Sequence, residues 1–393
     1  MQYDFNEPID RSDNFAAKYD ECAKKFGKEG LIPMWIADMD LRTAQPILDA
    51  IAQRNQQAMF GYTSRPDSYF EAVCQWQKDH NGYEFDRSLA TFAVGVIPAL
   101  CTIVREFSAP GQEIMYFTPV YSEFHDSVVN WGRTPLTVPL LEKDNCYEID
   151  FDAFEKAAKR RPAFLIMCNP HNPVGRTWTR AELERVGEIC LRNKIMIVSD
   201  EIHSDLQLYG SRHTVLASVS KEVADITVTC TSATKTFNLA GLQAATIFFP
   251  NQQMREKYLH FWTRMDIHRN NSFSLVAVEA AFRHGGEWLT QLLKHLEENT
   301  DFAHDYLEQN IPEITFRKPE STYLLWLDCR KLGLQGDALP RFMVEEAGLA
   351  LNDGRSFGAG GEGYMRMNIA CPRCTLEKAL KQLKAAVDKR MGR

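Results

Sequence analysis

The sequence predicts an α/β protein: a large domain with a mostly parallel sheet sandwiched by helices, and a smaller α+β domain from the N-terminal arm and the C-terminal part. Two patterns carry this expectation. From about residue 45 to 284, short apolar runs alternate with amphipathic helical stretches, as in parallel strands joined by crossover helices. After residue 285 the pattern changes to long helices with fewer strands between them. At 393 residues and 45% hydrophobic content, the chain is long enough to bury two cores. The predicted boundaries are 45–284 for the large domain, and 1–44 with 285–393 for the small one.

Taken in order, the strand candidates of the large domain are 113–117 (EIMYF), 163–168 (AFLIMC), 195–199 (IMIVS), 226–230 (ITVTC) and 244–249 (AATIFF). Between the second and third, Thr179 and Glu182 form a capping box ahead of an apolar stripe at Leu183, Val186, Ile189 and Cys190, which predicts a helix. The apolar stretch Leu89 to Val104 contains Gly95 and Pro98 and is shorter than the roughly 20 residues that span a bilayer, so it reads as a core segment. In the small domain, helices are expected over 286–310 and 375–391, with strands at "TYLLWLD" and "GYMRMNIA".

Several function classes are excluded at this level. Net charge is −7 and the basic residues are scattered, which gives no footprint for nucleic acid. The start, "MQYDFNEPID", lacks the basic and apolar regions of a secretion signal, so a cytoplasmic location and no membrane partner are expected. Ten cysteines show no framework spacing, and Cys371 with Cys374 forms a single C-x-x-C without a second pair, so no metal site is expected. Ser232 and Lys235 spell S-x-x-K, but the triplet Ser12, Asp13, Asn14 precedes it and no K-T-G follows, against a serine-hydrolase reading. Gly354, Ser356 and Gly358 spell G-x-S-x-G, yet the last histidine is His304, upstream. Gly358, Gly360 and Gly363 spell G-x-G-x-x-G, but a strand comes next. Both glycine patterns read as a flexible loop leading to Arg366.

In an open α/β sheet, ligands sit beyond the carboxyl ends of the strands. The residues found there are Thr118 to Tyr121, Asn169 to Pro173, Asp200 to His203, and Thr231 to Lys235. Gly95 to Pro98 enters a helix whose first free N–H groups suit a phosphate. A lysine, a carboxylate, a carboxamide, an aromatic ring and a phosphate anchor are the parts that pyridoxal 5′-phosphate requires. Lys235 is expected to form the Schiff base and Asp200 to pair with the protonated ring nitrogen. Singly, each residue has a plainer reading: Asp200 as a helix cap, Asn169 and Asn172 as turn residues beside prolines, Tyr121 as core and His171 as a turn residue.

Through "NPHNPVG" (169–175), "SDEIH" (199–203) and "SATKTFNLAGL" (232–242), the chain resembles fold-type-I pyridoxal-phosphate enzymes of the class I/II aminotransferase superfamily. "PMWIADMD" (33–40), "GYT" (61–63) and "MRMNIACPR" (365–373) resemble its cystathionine β-lyase, or C–S lyase, subgroup. The resemblance implies the PLP-dependent transferase fold. It further implies that Lys235 holds the cofactor and moves protons, Asp200 contacts the ring nitrogen, Asn172 donates to the phenolic oxygen and Tyr121 stacks on the ring. Val96, Ile97 and Ser232 are expected at the phosphate, and Arg366 at the carboxylate of an amino-acid substrate. Tyr62 is expected to reach the phosphate of a neighbouring subunit in a homodimer. Trp35 and Asp38 border the substrate or serve the core and a turn. Two positions depart from the superfamily pattern: Gln243 stands where many aminotransferases have arginine, and His203 where tyrosine is frequent, which leaves the contact of His203 with the cofactor open. The implied reaction is β-elimination of thiol from L-cystathionine or a related S-substituted cysteine, giving pyruvate and ammonia. An aminotransferase is the alternative, and a cofactor-binding regulatory protein a third class.

Overall fold

The computed structural model describes residues 1–11 and 13–393; Ser12, the first residue of the S-D-N triplet, lies outside them. Seven strands form the main sheet: β1 (Ala90–Ala93), β2 (Glu113–Thr118), β3 (Thr134–Pro139), β4 (Phe164–Cys168), β5 (Met196–Asp200), β6 (Thr227–Thr231) and β7 (Ala245–Phe248). Their spatial order is β1-β7-β6-β5-β4-β2-β3. The pairs β3/β2, β2/β4, β4/β5 and β5/β6 are parallel, while β7 runs antiparallel to both β6 and β1. This is the expected mostly parallel sheet, and all five predicted strands of the large unit are present.

Alternation along each strand sends side chains to two separate cores. Ile114, Tyr116, Phe164, Ile166 and Val198 pack on the side of the helix Val96–Phe107. Met115, Phe117, Leu165, Met167 and Ile197 pack on the side of the helix Arg180–Asn193. Burial on both faces explains why these strands read as continuous apolar runs. Each such side chain contributes about 1.5–3 kcal/mol of burial energy. The helix Arg180–Asn193 starts at the predicted capping box, with the Thr179 hydroxyl accepting from Glu182 N–H.

Three features differ from expectation. The stretch Leu89–Val104 is two elements, β1 and the helix Val96–Phe107, separated at Gly95. β3 (TPLTVP) was not expected, because Pro135 and Pro139 argue against a strand; it lies at the sheet edge, where a proline without N–H costs no ladder bond. The glycine-rich stretch before Arg366 is compact rather than flexible. It forms a 3-10 turn over Gly354–Phe357 so closely packed that a Cβ on Gly361 would lie 1.9 Å from the Gly354 carbonyl oxygen.

The C-terminal part forms a second antiparallel sheet of β8 (Leu324–Asp328), β9 (Asn352–Asp353) and β10 (Tyr364–Asn368), in the order β8-β10-β9. The helices Gly286–Asn310 and Arg373–Met391 fall close to their predicted spans. The N-terminal arm joins this unit: Ile32–Pro33 pairs with Leu349–Ala350, and Ile32 and Met34 share a core with Leu325, Met367 and Leu380. Among the described residues, no helix is long and apolar enough to cross a membrane.

Candidate active site

Register places the carboxyl ends of the central strands side by side, with Cys168 opposite Asp200 and Asp200 opposite Cys230. The loops after β4, β5 and β6 therefore open on one edge, where a cavity of about 430 Å³ lies between the main sheet, β10 and the N-terminal arm. Lys235, Asp200, Asn172, Tyr121, His203 and Arg366 all line it. So do Val96 and Ile97, which begin the helix Val96–Phe107. Since Pro98 has no N–H, the amides of Val96 and Ile97 are the free donors of that first turn.

Lys235 sits on the short helix Ala233–Thr236 that follows β6. It is half-buried, and its Nζ donates to the Ala37 carbonyl at 2.6 Å. Burial and then the charge of Arg366 pull its amine down to about 8, against the attraction of Asp38 and Asp200. Asp200 is buried at the end of β5, and its Oδ1 accepts from Ile202 N–H at 3.1 Å. Burial pushes this carboxyl up to about 7, and the neighbouring Glu201 adds to the rise. Lys235 and Asp200 are thus two groups held near neutrality from opposite directions.

Arg366 projects from β10, the central strand of the small sheet, and is buried. It donates to Asn172 Oδ1 at 3.1 Å, to the Trp35 carbonyl at 2.9 Å and to Asn352 Oδ1 at 2.8 Å. A guanidinium has no acceptor, so the oxygen end of the Asn172 amide must face it and the NH₂ end is turned away. The Tyr121 hydroxyl is pushed up to about 12 by burial and the Glu123 charge, and stays protonated at neutral pH. His203 is buried, its ring edge-on to Tyr323, and burial with the nearby positive charges pulls it down to about 3. It is therefore a neutral imidazole, with Nδ1 lacking a protein partner.

Two expected residues lie outside the cavity wall. The Ser232 hydroxyl accepts from Thr234 N–H and donates to the Ala244 carbonyl at 2.6 Å, so it caps its helix, and Thr234 lines the cavity instead. Tyr62 is 98% exposed, beside the Arg269 guanidinium. Trp35 lines the cavity, while Asp38 pairs with Lys18 and Arg11. His171 is a buried turn residue whose Nε2 meets the Pro119 carbonyl at 2.8 Å. The sequence reading missed Asn352 and the carbonyls of Trp35 and Ala37; backbone acceptors carry no side-chain signature by which to find them.

Residues 32–383 match the family model described as aminotransferase class I and II. The chain belongs to that family. Within it, the chain is 40% identical to cystathionine beta-lyase PatB of Bacillus subtilis (strain 168), over 98% of this chain and 100% of the relative. Protein MalY of Escherichia coli (strain K12) is 30% identical, over 98% and 99%. Among solved structures, cystalysin from Treponema denticola, which contains pyridoxal 5′-phosphate, superposes with a TM-score of 0.96 at 33% identity, over 99% of this chain and 100% of the other. The PLP-bound C-S lyase from Staphylococcus hominis superposes at 0.93 with 31% identity, over 98% of each chain. The fold is accordingly the PLP-dependent transferase fold of this aminotransferase family. Gln243, the family's frequent arginine position, also lines the cavity.

Proposed function

We propose that this member of the family is a pyridoxal-phosphate-dependent C–S β-lyase that eliminates thiol from L-cystathionine or related S-substituted cysteines, giving pyruvate and ammonia. The observation that carries the reading is the meeting of Lys235, Asp200 and Arg366 in one cavity, each buried or half-buried and each with an open polar function. Relatives named cystathionine beta-lyase and a structure named C-S lyase supply the reaction class.

The residues present fit the cofactor. Asp200 is a buried carboxyl with only an amide donor, and a protonated ring nitrogen is the cation that stabilises its ionised form. The NH₂ of Asn172 is left to donate to the phenolic oxygen, and Tyr121 offers a ring face. Val96 and Ile97 amides, Thr234 and Gln243 stand where a phosphate would be held, and Ser232 supports that wall by capping. His203, a neutral imidazole near Lys235 and Arg366, lines the same cavity. Bound there, pyridoxal phosphate supplies an electron sink for the pair left at the substrate α-carbon.

The chain's own residues do the rest. Lys235 Nζ, with its amine near 8, takes the α-proton as general base. Three of the five N–H groups of Arg366 are occupied, so the guanidinium keeps two unpaired N–H groups and its charge to draw the substrate carboxylate. Burial around Arg366 and Asp200 excludes water, so these charges act at full strength. The purified protein given L-cystathionine is expected to release pyruvate and thiol with no keto-acid acceptor. Keto-acid exchange that depends on an acceptor would establish an aminotransferase instead.

The working unit is a homodimer in this reading, with Tyr62 contributed across the interface. Tyr62 is nearly fully exposed, and its chain neighbours Met59 and Phe60 are exposed as well, apolar side chains that a monomer would leave in water. Mixed subunits test this directly. A Tyr62→Ala homodimer and a Lys235→Ala homodimer, once exchanged, should show more activity than either parent, because one hybrid site is intact; no gain would place Tyr62 elsewhere. We also take 45–284 as the cofactor-binding domain and 1–44 with 285–393 as the closing domain. Ten unpaired cysteines suit a reducing, cytoplasmic setting.

A further inference from the structure

The mouth of the cavity carries two charges that the lyase chemistry above does not use. Lys25, from the helix Cys22–Phe26 of the N-terminal arm, and Glu123, from the helix Glu123–Val129, line the same cavity as Lys235 and Arg366. Lys25 is exposed and Glu123 partly so, whereas Arg366, Asp200 and His203 are buried, which sets the pair at the entrance. Among the described residues, neither side chain is spent on an ion pair. Lys25 Nζ rests over the Trp35 ring, 4.3 Å from its centroid. Glu123 is pushed up by burial and by Asp126, and the charge of Lys25 pulls it back down, so the two share one field. Trp35 couples this rim to the floor: its ring carries Lys25, and its carbonyl accepts from Arg366.

Such an arrangement has a specific complement. A group that carries a carboxylate and an ammonium together would meet Lys25 with the first and Glu123 with the second, while its thioether crosses the cavity toward Lys235. Neutral alkyl groups on sulfur would leave both charges unanswered. Resting on the lyase reading above, we propose that Lys25 and Glu123 form a subsite for the distal amino-acid end of the substrate. Substrates are thus S-substituted cysteines whose S-substituent itself ends in an amino acid. One charge comes from each of two segments far apart in the chain, so the subsite exists only when the arm lies against the main unit.

The test uses the holoenzyme, L-cystathionine, and two analogues that each keep one distal charge: S-(3-carboxypropyl)-L-cysteine and S-(3-aminopropyl)-L-cysteine. The readouts are kcat/KM and calorimetric Kd. In Lys25→Met the preference for the carboxypropyl over the aminopropyl analogue should fall by about fivefold, and in Glu123→Gln it should rise by a similar factor, the size expected of partly exposed charge pairs. Both effects should shrink as salt is raised. Selectivity that moves less than about twofold in both variants, or moves the same way in both, overturns the subsite. A holoenzyme that binds cystathionine without releasing thiol would defeat the lyase reading alone, since the binding ratios still decide the role of Lys25 and Glu123.

Discussion

Lys235→Ala is expected to lower thiol release by at least about a thousandfold, the scale on which a positioned general base acts. The variant should still bind L-cystathionine, because Arg366 and its three partners are untouched. The reason for so large an effect is local. The amine stands near 8 because burial and Arg366 disfavour its charged form, so at neutral pH a useful fraction is free to accept a proton. No other amine lines the inner cavity among the described residues; Lys25 is at its exposed rim. Borohydride treatment of the loaded wild-type protein should leave the cofactor on the peptide that contains residue 235, and the variant should show no such peptide. Turnover near the wild-type rate in the variant would remove Lys235 from its role.

Asp200→Asn should act in opposite directions on the empty and the loaded protein. In the empty protein the Asp200 carboxyl is raised from its ordinary 3.8 to about 7, so the folded state prefers the protonated form. The sign comes from proton counting: between these values the folded chain holds one more proton than the unfolded chain, and stability falls as pH rises. The contribution is complete below about pH 3.8 and is lost by the time pH passes 7, a change on the order of 4 kcal/mol. The amide has no such titration. Apoprotein carrying Asp200→Asn should therefore unfold at a higher temperature than wild type at pH 8, with the gap closing by about pH 4. With pyridoxal phosphate present the order reverses, because an amide cannot hold the ring nitrogen protonated. Turnover should drop by about a hundredfold, as for loss of a preorganised charge at the reacting centre. Calorimetric melting at both pH values, with and without cofactor, checks the pair of effects. A variant apoprotein less stable than wild type at pH 8 would overturn this role of Asp200.

Most of the scaffold was legible because burial on both faces writes itself into the strands as uninterrupted apolar runs. β4, β5 and β6 are of that kind, and the site residues lie immediately past the carboxyl end of each run, so locating the runs locates them. β1 was hidden because its four residues merge with the apolar helix beyond Gly95, although that glycine could have marked the break. β3 was hidden because prolines disguise an edge strand. At the site, Lys235, Asp200, Asn172, Tyr121 and Arg366, singled out by residue type and position, all line one cavity. The hydroxyl of Ser232 caps its helix and meets the Ala244 carbonyl, a direction not written in the sequence, where a helix cap and a phosphate donor look the same. Glu123 sits two residues beyond Tyr121, outside the strand-end tetrad, and Lys25 lies on a helix nearly a hundred residues earlier in the chain. Their partnership is a product of tertiary folding and has no local pattern.

The bond from Arg366 to the Asn172 amide has a wider meaning than its own energy. It makes two recognition events share a single hinge of information. A carboxylate arriving at the guanidinium competes for it and relaxes its pull on the amide oxygen, and the opposite end of that amide is the one that, in the proposed reading, would donate to the cofactor ring. Filling the substrate seat should consequently be visible as a change of colour in the loaded protein before any bond is broken, and a carboxylate too short to reach the reacting carbon should suffice to produce it.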